Sequence, residues 1–204
     1  IGIVAAMTIP TLQNNSQKTQ YVTGLKKAYT TFNQALIQIS ADMGCVGDLK
    51  CTGLFTNNTQ ATGNQILGTE LVKYFKVIKN CETSASGSSI TGCWASDIKL
   101  NYDGSGGQYD STGGDGSEDD YYRFITADGA SYFINSWLTD CGTNDSSGRT
   151  NNLTQICGAI LVDVNGPQKR PNALGRDIFT FLISNGKGPM LYPSGGSDCN
   201  GGFV

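Results

Sequence analysis

Apolar residues follow two different rhythms along this chain. The first twelve positions, IGIVAAMTIPTL, are almost wholly apolar, and no charge appears before Lys18. From Tyr21 the apolar residues Tyr21, Val22, Leu25, Tyr29, Phe32, Leu36 and Ile39 recur mostly at steps of three and four, the stripe of an amphipathic helix. Gln17, Lys18, Lys26, Lys27 and Gln34 fall mostly elsewhere on the wheel, and Gly44 is the predicted stop. One helix over residues 1–43 would be about 65 Å long. Half of it would then project from any domain this size, with a kink expected at Pro10, where the ring removes a backbone hydrogen bond. A shorter helix is predicted over residues 65–80, with Leu67, Leu71, Tyr74, Phe75 and Ile78 on one side.

Beyond residue 120 the period falls to two. YYRFITADGASYFINSW reads as a hairpin turning at Asp128-Gly129, with type I′ geometry expected. GAILVDVNG alternates, setting Ile160, Val162 and Val164 on one face and Leu161 and Asp163 on the other. DIFTFLISNGKGPMLYP gives a strand, Asn185-Gly186 and a short return. About four antiparallel strands in two hairpins, all after the helices, predict an α+β domain with the sheet packed on the long helix. Residues 1–20 are expected to protrude as the polymerising half of the helix, and residues 21–204 to form the head. The stretch from Asp103 to Tyr122 is too rich in glycine and acid to pack, so a surface loop is expected there, its Asp110, Asp115, Asp119 and Asp120 solvated.

Composition narrows the function. A net charge of -3 with 14 Lys+Arg leaves no basic face, so no nucleic-acid partner is expected. Only 15% of residues are charged, and the polar surface is made by Gly, Ser, Thr and Asn, as suits a head exposed outside the cell. The chain has no histidine, which removes the commonest acid–base and zinc chemistry; no spacing singles out a pair of catalytic carboxylates, and no enzyme activity is expected. Sequons at Asn14, Asn57, Asn144 and Asn152 are what chance gives in so Asn-, Ser- and Thr-rich a chain.

The seven cysteines include no CxxC pair. In order they fall into local pairs, Cys45 with Cys51, Cys81 with Cys93 and Cys141 with Cys157, leaving Cys199 over. Sequential pairing is the simplest of the connectivities open to them. It would close loops of roughly 5 to 15 residues, each stabilising by about 2–3 kcal/mol in an oxidising compartment.

An apolar helix interrupted by proline, running into an amphipathic helix and then an antiparallel sheet with disulfides, resembles the type IV pilin and type II secretion pseudopilin family. The residues that carry the resemblance are IGIVAAMTIPTL. Gly2, Ala5, Ala6, Ile9 and Pro10 fall in register with the second half of the family's N-terminal segment. Family members begin about a dozen residues earlier, with a methylated phenylalanine and a glutamate at the fifth mature position, so a missing start is expected here. The resemblance implies a structural subunit of an extracellular type IV pilus. It would be anchored in the inner membrane before assembly, processed by a prepilin peptidase, and then polymerised with identical subunits into a helical filament on the cell surface by the pilus assembly machinery. The filament core would take Ile1, Gly2, Ile3, Val4, Met7, Ile9, Pro10 and Leu12. A secretion pseudopilin and a minor pilin acting as a tip adhesin are the alternatives. Some pseudopilins hold calcium in a C-terminal loop, which directs attention to Asp163, Asn165 and Asp177 as oxygen ligands, although a strand end with Asx turns at Asp163 and Asn165 is the favoured reading. No other cofactor is expected.

Overall fold

The computed structural model describes residues 2–56, 59–83, 92–95, 98–99, 121–137, 139–144 and 153–193, with side chains from Ser16 onward. Helix α1 is Gly2–Asp42, 41 residues, and the helical backbone includes Pro10. Its Tyr21, Ala28, Phe32, Ala35, Leu36 and Ile39 are buried, whereas Val22 is 49% exposed and Leu25 and Tyr29 are half-buried. The predicted stripe is therefore buried at Tyr21, Phe32, Leu36 and Ile39 but not at Val22, and Ala28 and Ala35 complete it. Ser16 to Gln20 are all exposed.

Helix α2 is Gln60–Leu71, five residues earlier than the apolar pattern placed it. Thr59 caps it by accepting a hydrogen bond from the Thr62 amide. Its first turns are held by polar side chains that periodicity does not register. Gln60 donates to Ser136 O at 2.5 Å, and buried Asn64 accepts from the Ser136 amide at 2.6 Å. A 3₁₀ turn, Val72–Tyr74, ends the helical run.

Six strands follow: β1 (Val77–Glu82), β2 (Tyr122–Thr126), β3 (Ser131–Ser136), β4 (Ile156–Asp163), β5 (Ile178–Ser184) and β6 (Met190–Pro193). They form one antiparallel meander in the order β1-β2-β3-β4-β5-β6. This is an α+β chain, with two strands more than expected. β1 takes residues assigned from sequence to the second helix, and Ile78, placed on that helix's buried side, is 67% exposed. β6 is the short return after Asn185, paired with β5 from Phe181↔Pro193 to Ser184↔Met190.

The turn at Asp128-Gly129 differs from the expected type I′. Gly129 has φ +89 while Asp128 keeps the ordinary sign, and the Gly129 amide bonds Thr126 O at 2.8 Å. That is a type I turn closed by a left-handed glycine. The second turn likewise uses its left-handed glycine at Gly188 (φ +94), not at Asn185-Gly186.

β4 and β5 are buried along their whole length because the sheet is covered on both faces. Against α1 and α2 lies the main core, in which Phe32, Phe75, Phe124 and Tyr132 pack ring on ring, Phe124 and Tyr132 with centroids 4.9 Å apart. The opposite face carries a smaller cluster of Ala95, Ile98, Tyr121, Phe133, Leu161, Leu174 and Ile178. The alternation read in β4 is correct, with Ile160 and Val162 in the first core and Leu161 in the second. Each such side chain, fully buried, contributes on the order of 1.5–3 kcal/mol. Three disulfides, Cys45–Cys51, Cys81–Cys93 and Cys141–Cys157, join the cysteines as neighbours in sequence. Cys199 lies outside the described residues.

Candidate functional site at the root of the N-terminal helix

Two features meet where α1 reaches the sheet. The first is the helix itself. Ile1 lies outside the described residues; Gly2, Ile3, Val4, Met7, Ile9, Pro10 and Leu12 belong to the α1 backbone but their side chains lie outside the description. Among the described residues no helix is long and apolar enough to cross a membrane. On the head, Leu25, Lys26, Tyr29, Phe181 and Pro193 line an open groove of about 320 Å³ between α1 and β6, nearly all of it apolar.

The second feature is a buried acidic pair under Tyr21. Asp163 ends β4 and Asp177 precedes β5, and both are fully buried. Asp163 Oδ1 accepts from the amides of Asn165 (3.2 Å) and Gly166 (2.9 Å), an Asx turn that reverses the chain after β4. Asp177 Oδ2 accepts from the Asn172 amide at 3.0 Å and Oδ1 from the Ala173 amide at 2.7 Å, so this carboxylate organises the loop that covers the second core. Burial, and then the negative charge of Asp177, push the Asp163 carboxyl up to about 7, against the opposing pull of the Gly166 and Asn165 amides and of Lys169. Burial likewise raises Asp177, less the effect of its amide donors and of Asn165. The Tyr21 hydroxyl is raised by burial first and by Asp177 next, with Arg176 and a hydrogen bond to Asn165 opposing. Sequence reading saw Tyr21 only as part of the apolar stripe; its ring does serve the stripe, but its hydroxyl lies among the acids.

Asp163, Asn165 and Asp177 are therefore close together, and most of their oxygens serve the backbone. The oxygens without hydrogen-bond partners are Asp163 Oδ2 and Asn165 Oδ1, while both Asp177 oxygens are engaged by backbone amides. The side chains of these three residues leave two oxygens free, and calcium takes about six to eight from side chains, backbone carbonyls and water together. Among the described residues no group of three or more acidic or sulfur side chains is placed to hold a metal. A carboxyl oxygen that is buried without a donor is better satisfied as a protonated donor than as an anion. The cluster thus holds two turns, and it does not line the groove beside Leu25 and Tyr29. The acidic residues Asp110, Asp115, Asp119 and Asp120 lie outside the described residues. Comparison of the chain with protein-family models, with curated proteins and with solved structures gives no match.

Proposed function

We propose that this chain is the structural subunit of an extracellular type IV pilus, polymerised through the N-terminal half of α1. One observation carries the reading. The uncharged segment of residues 2–12 belongs to the same helix whose Tyr21–Ile39 stripe is built into the head's core, and an exposed turn, Ser16 to Gln20, separates the two. Apolar side chains on the far side of such an exposed turn would need another cover, and identical neighbours related by an open rotation would supply one indefinitely. Ile1, Ile3, Val4, Met7, Ile9 and Leu12 would each gain on the order of 1.5–3 kcal/mol from such burial. The groove beside Leu25 and Tyr29 extends the apolar surface onto the head, where a neighbouring helix would lie. Before assembly the same segment would sit in the inner membrane, awaiting a prepilin peptidase and the assembly machinery.

The test compares the full chain with a variant beginning at Tyr21, by light scattering on transfer out of mild detergent. The full chain should form long polymers and the variant should stay monomeric with the same near-UV circular dichroism. Polymers from both, or from neither, would remove the N-terminal helix from the role assigned to it.

A further inference from the structure

The loop that follows β4 pins α1 to the head at its root. A Cβ on Gly24 would lie 3.1 Å from the Cβ of Val164, so helix and loop meet there with no side chain of α1 between them. One turn earlier stands Tyr21, the first buried side chain described on α1. Asn165 hydrogen-bonds both the Tyr21 hydroxyl and the Asp177 carboxyl. Val164 and Asn165 belong to the turn that Asp163 organises, and Asp163 is fully buried with its Oδ2 unpartnered. Asp177 is a second fully buried carboxyl in the same seam. The other titratable groups facing the seam are Tyr21 from α1, Lys169 from the loop after β4 and Arg176 from the segment before β5. Ser131 and Ile178, opposite Asp163 in the sheet, carry no charge. Among the described residues neither Lys169 nor Arg176 forms an ion pair with either acid. Two negative charges would therefore lie buried side by side without a paired cation, which is costly.

We propose that a proton held in this seam controls how firmly the N-terminal half of α1 is fastened to the head. With the proton in place the seam closes on Tyr21 and Gly24. With both carboxyls ionised, repulsion and the demand for water open it, and the part that yields is the part outside the ladder of the sheet: the Val164–Gly166 turn and the Tyr21–Gly24 stretch above it. β4 and β5 stay paired from Gly158 to Asp163, and Ala28, Phe32, Ala35, Leu36 and Ile39 stay in the core. The root of α1 is then free to swivel while the head remains folded. This holds whether or not the chain forms filaments.

The Asp163 carboxyl sits near 7 in the closed seam and returns to its ordinary 3.8 in an open, hydrated one. Opening should therefore increase about thirtyfold between pH 5.5 and 8.5, most of it below pH 7.5. Hydrogen exchange of the full chain in mild detergent, read by mass spectrometry at several pH values and corrected for the intrinsic pH dependence of exchange, tests this. EDTA keeps divalent cations from taking the proton's place. Peptides over residues 19–25 and 164–167 should lose about thirtyfold in protection across that range, while those over residues 32–39 and 159–162 keep theirs. Asp163→Asn, which cannot ionise, should flatten most of the dependence at the root. Should that variant fail to fold, the wild-type contrast between root and core decides by itself. Root protection that is the same at both ends of the range, a loss shared equally by all four peptides, or a folded Asp163→Asn that opens as the wild type does would overturn the proposal.

Discussion

Replacing Asp163 with Asn should make this protein more stable at pH 8, although the side chain is fully buried and holds a turn. In the folded state the carboxyl sits near 7, against an ordinary 3.8. The folded chain thus keeps a proton that the unfolded chain has already released. Where the folded state binds more protons, stability falls as pH rises. The contribution is fully present below about 3.8 and is lost as pH climbs through about 7. A difference of about three units corresponds to about 4 kcal/mol between the two ends of that window. Asparagine keeps the acceptor for the Asn165 and Gly166 amides and puts an N–H at the position of Asp163 Oδ2, which has no partner of its own. Urea unfolding followed by tryptophan fluorescence from pH 4 to 8 gives the comparison. The wild type should lose several kcal/mol across that range, whereas Asp163→Asn should lose only the share due to Asp177, whose carboxyl is raised in the same direction. The variant should be the weaker below pH 4.5 and the stronger at pH 8. A wild-type profile that is flat, or a variant weaker than wild type at pH 8, would refute the reasoning.

Other perturbations follow from single contacts. A Cβ on Gly68 would lie 2.0–2.3 Å from the ring of buried Tyr122, so Gly68→Ala must lift α2 from β2 and cost about 1–3 kcal/mol or more in denaturant unfolding. Asn185→Ala removes the acceptor of the Leu49 amide (2.7 Å) and a donor to Asp48 (2.8 Å), and should cost about 2 kcal/mol and speed hydrogen exchange at Leu49. Opening Cys141–Cys157 by a double serine substitution frees a loop with a sequence separation of 16 and should cost about 3 kcal/mol, read as a Tm drop of about 6–12 °C. Millimolar calcium should leave the Tm unchanged at pH 7, and a rise of several degrees would show that Asp163, Asn165 and Asp177 do gather a cation.

Much of this architecture is written in residues whose burial and periodicity agree. Phe32, Leu36 and Ile39 announce α1, Ile160 and Val162 announce the core face of β4, and short loops made neighbouring cysteines the simplest pairing. What stayed hidden is held by polar groups or by backbone shape. Gln60 and Asn64 start α2 early because they bond the end of β3, and no apolar pattern marks such an anchor. Val77 and Ile78 fit a helical stripe as well as a strand; the partner that decides between them, Phe124 to Thr126, lies more than forty residues away. The Asp163–Asp177 cluster was visible as a set of oxygen-bearing side chains. Its use by backbone amides was not, because that depends on how the loops on either side of Arg170 fold back.

The central claim is that this chain polymerises as the bulk component of a surface filament. Electron microscopy of fibres sheared from cells that express it, with mass spectrometry of the same fibres, tests that claim most directly. The account predicts thin helical fibres made almost wholly of this chain, with the segment of residues 1–12 protected from protease until the fibres are dissolved. Fibres in which the chain is a trace component, or is absent while it abounds as monomer, would contradict it.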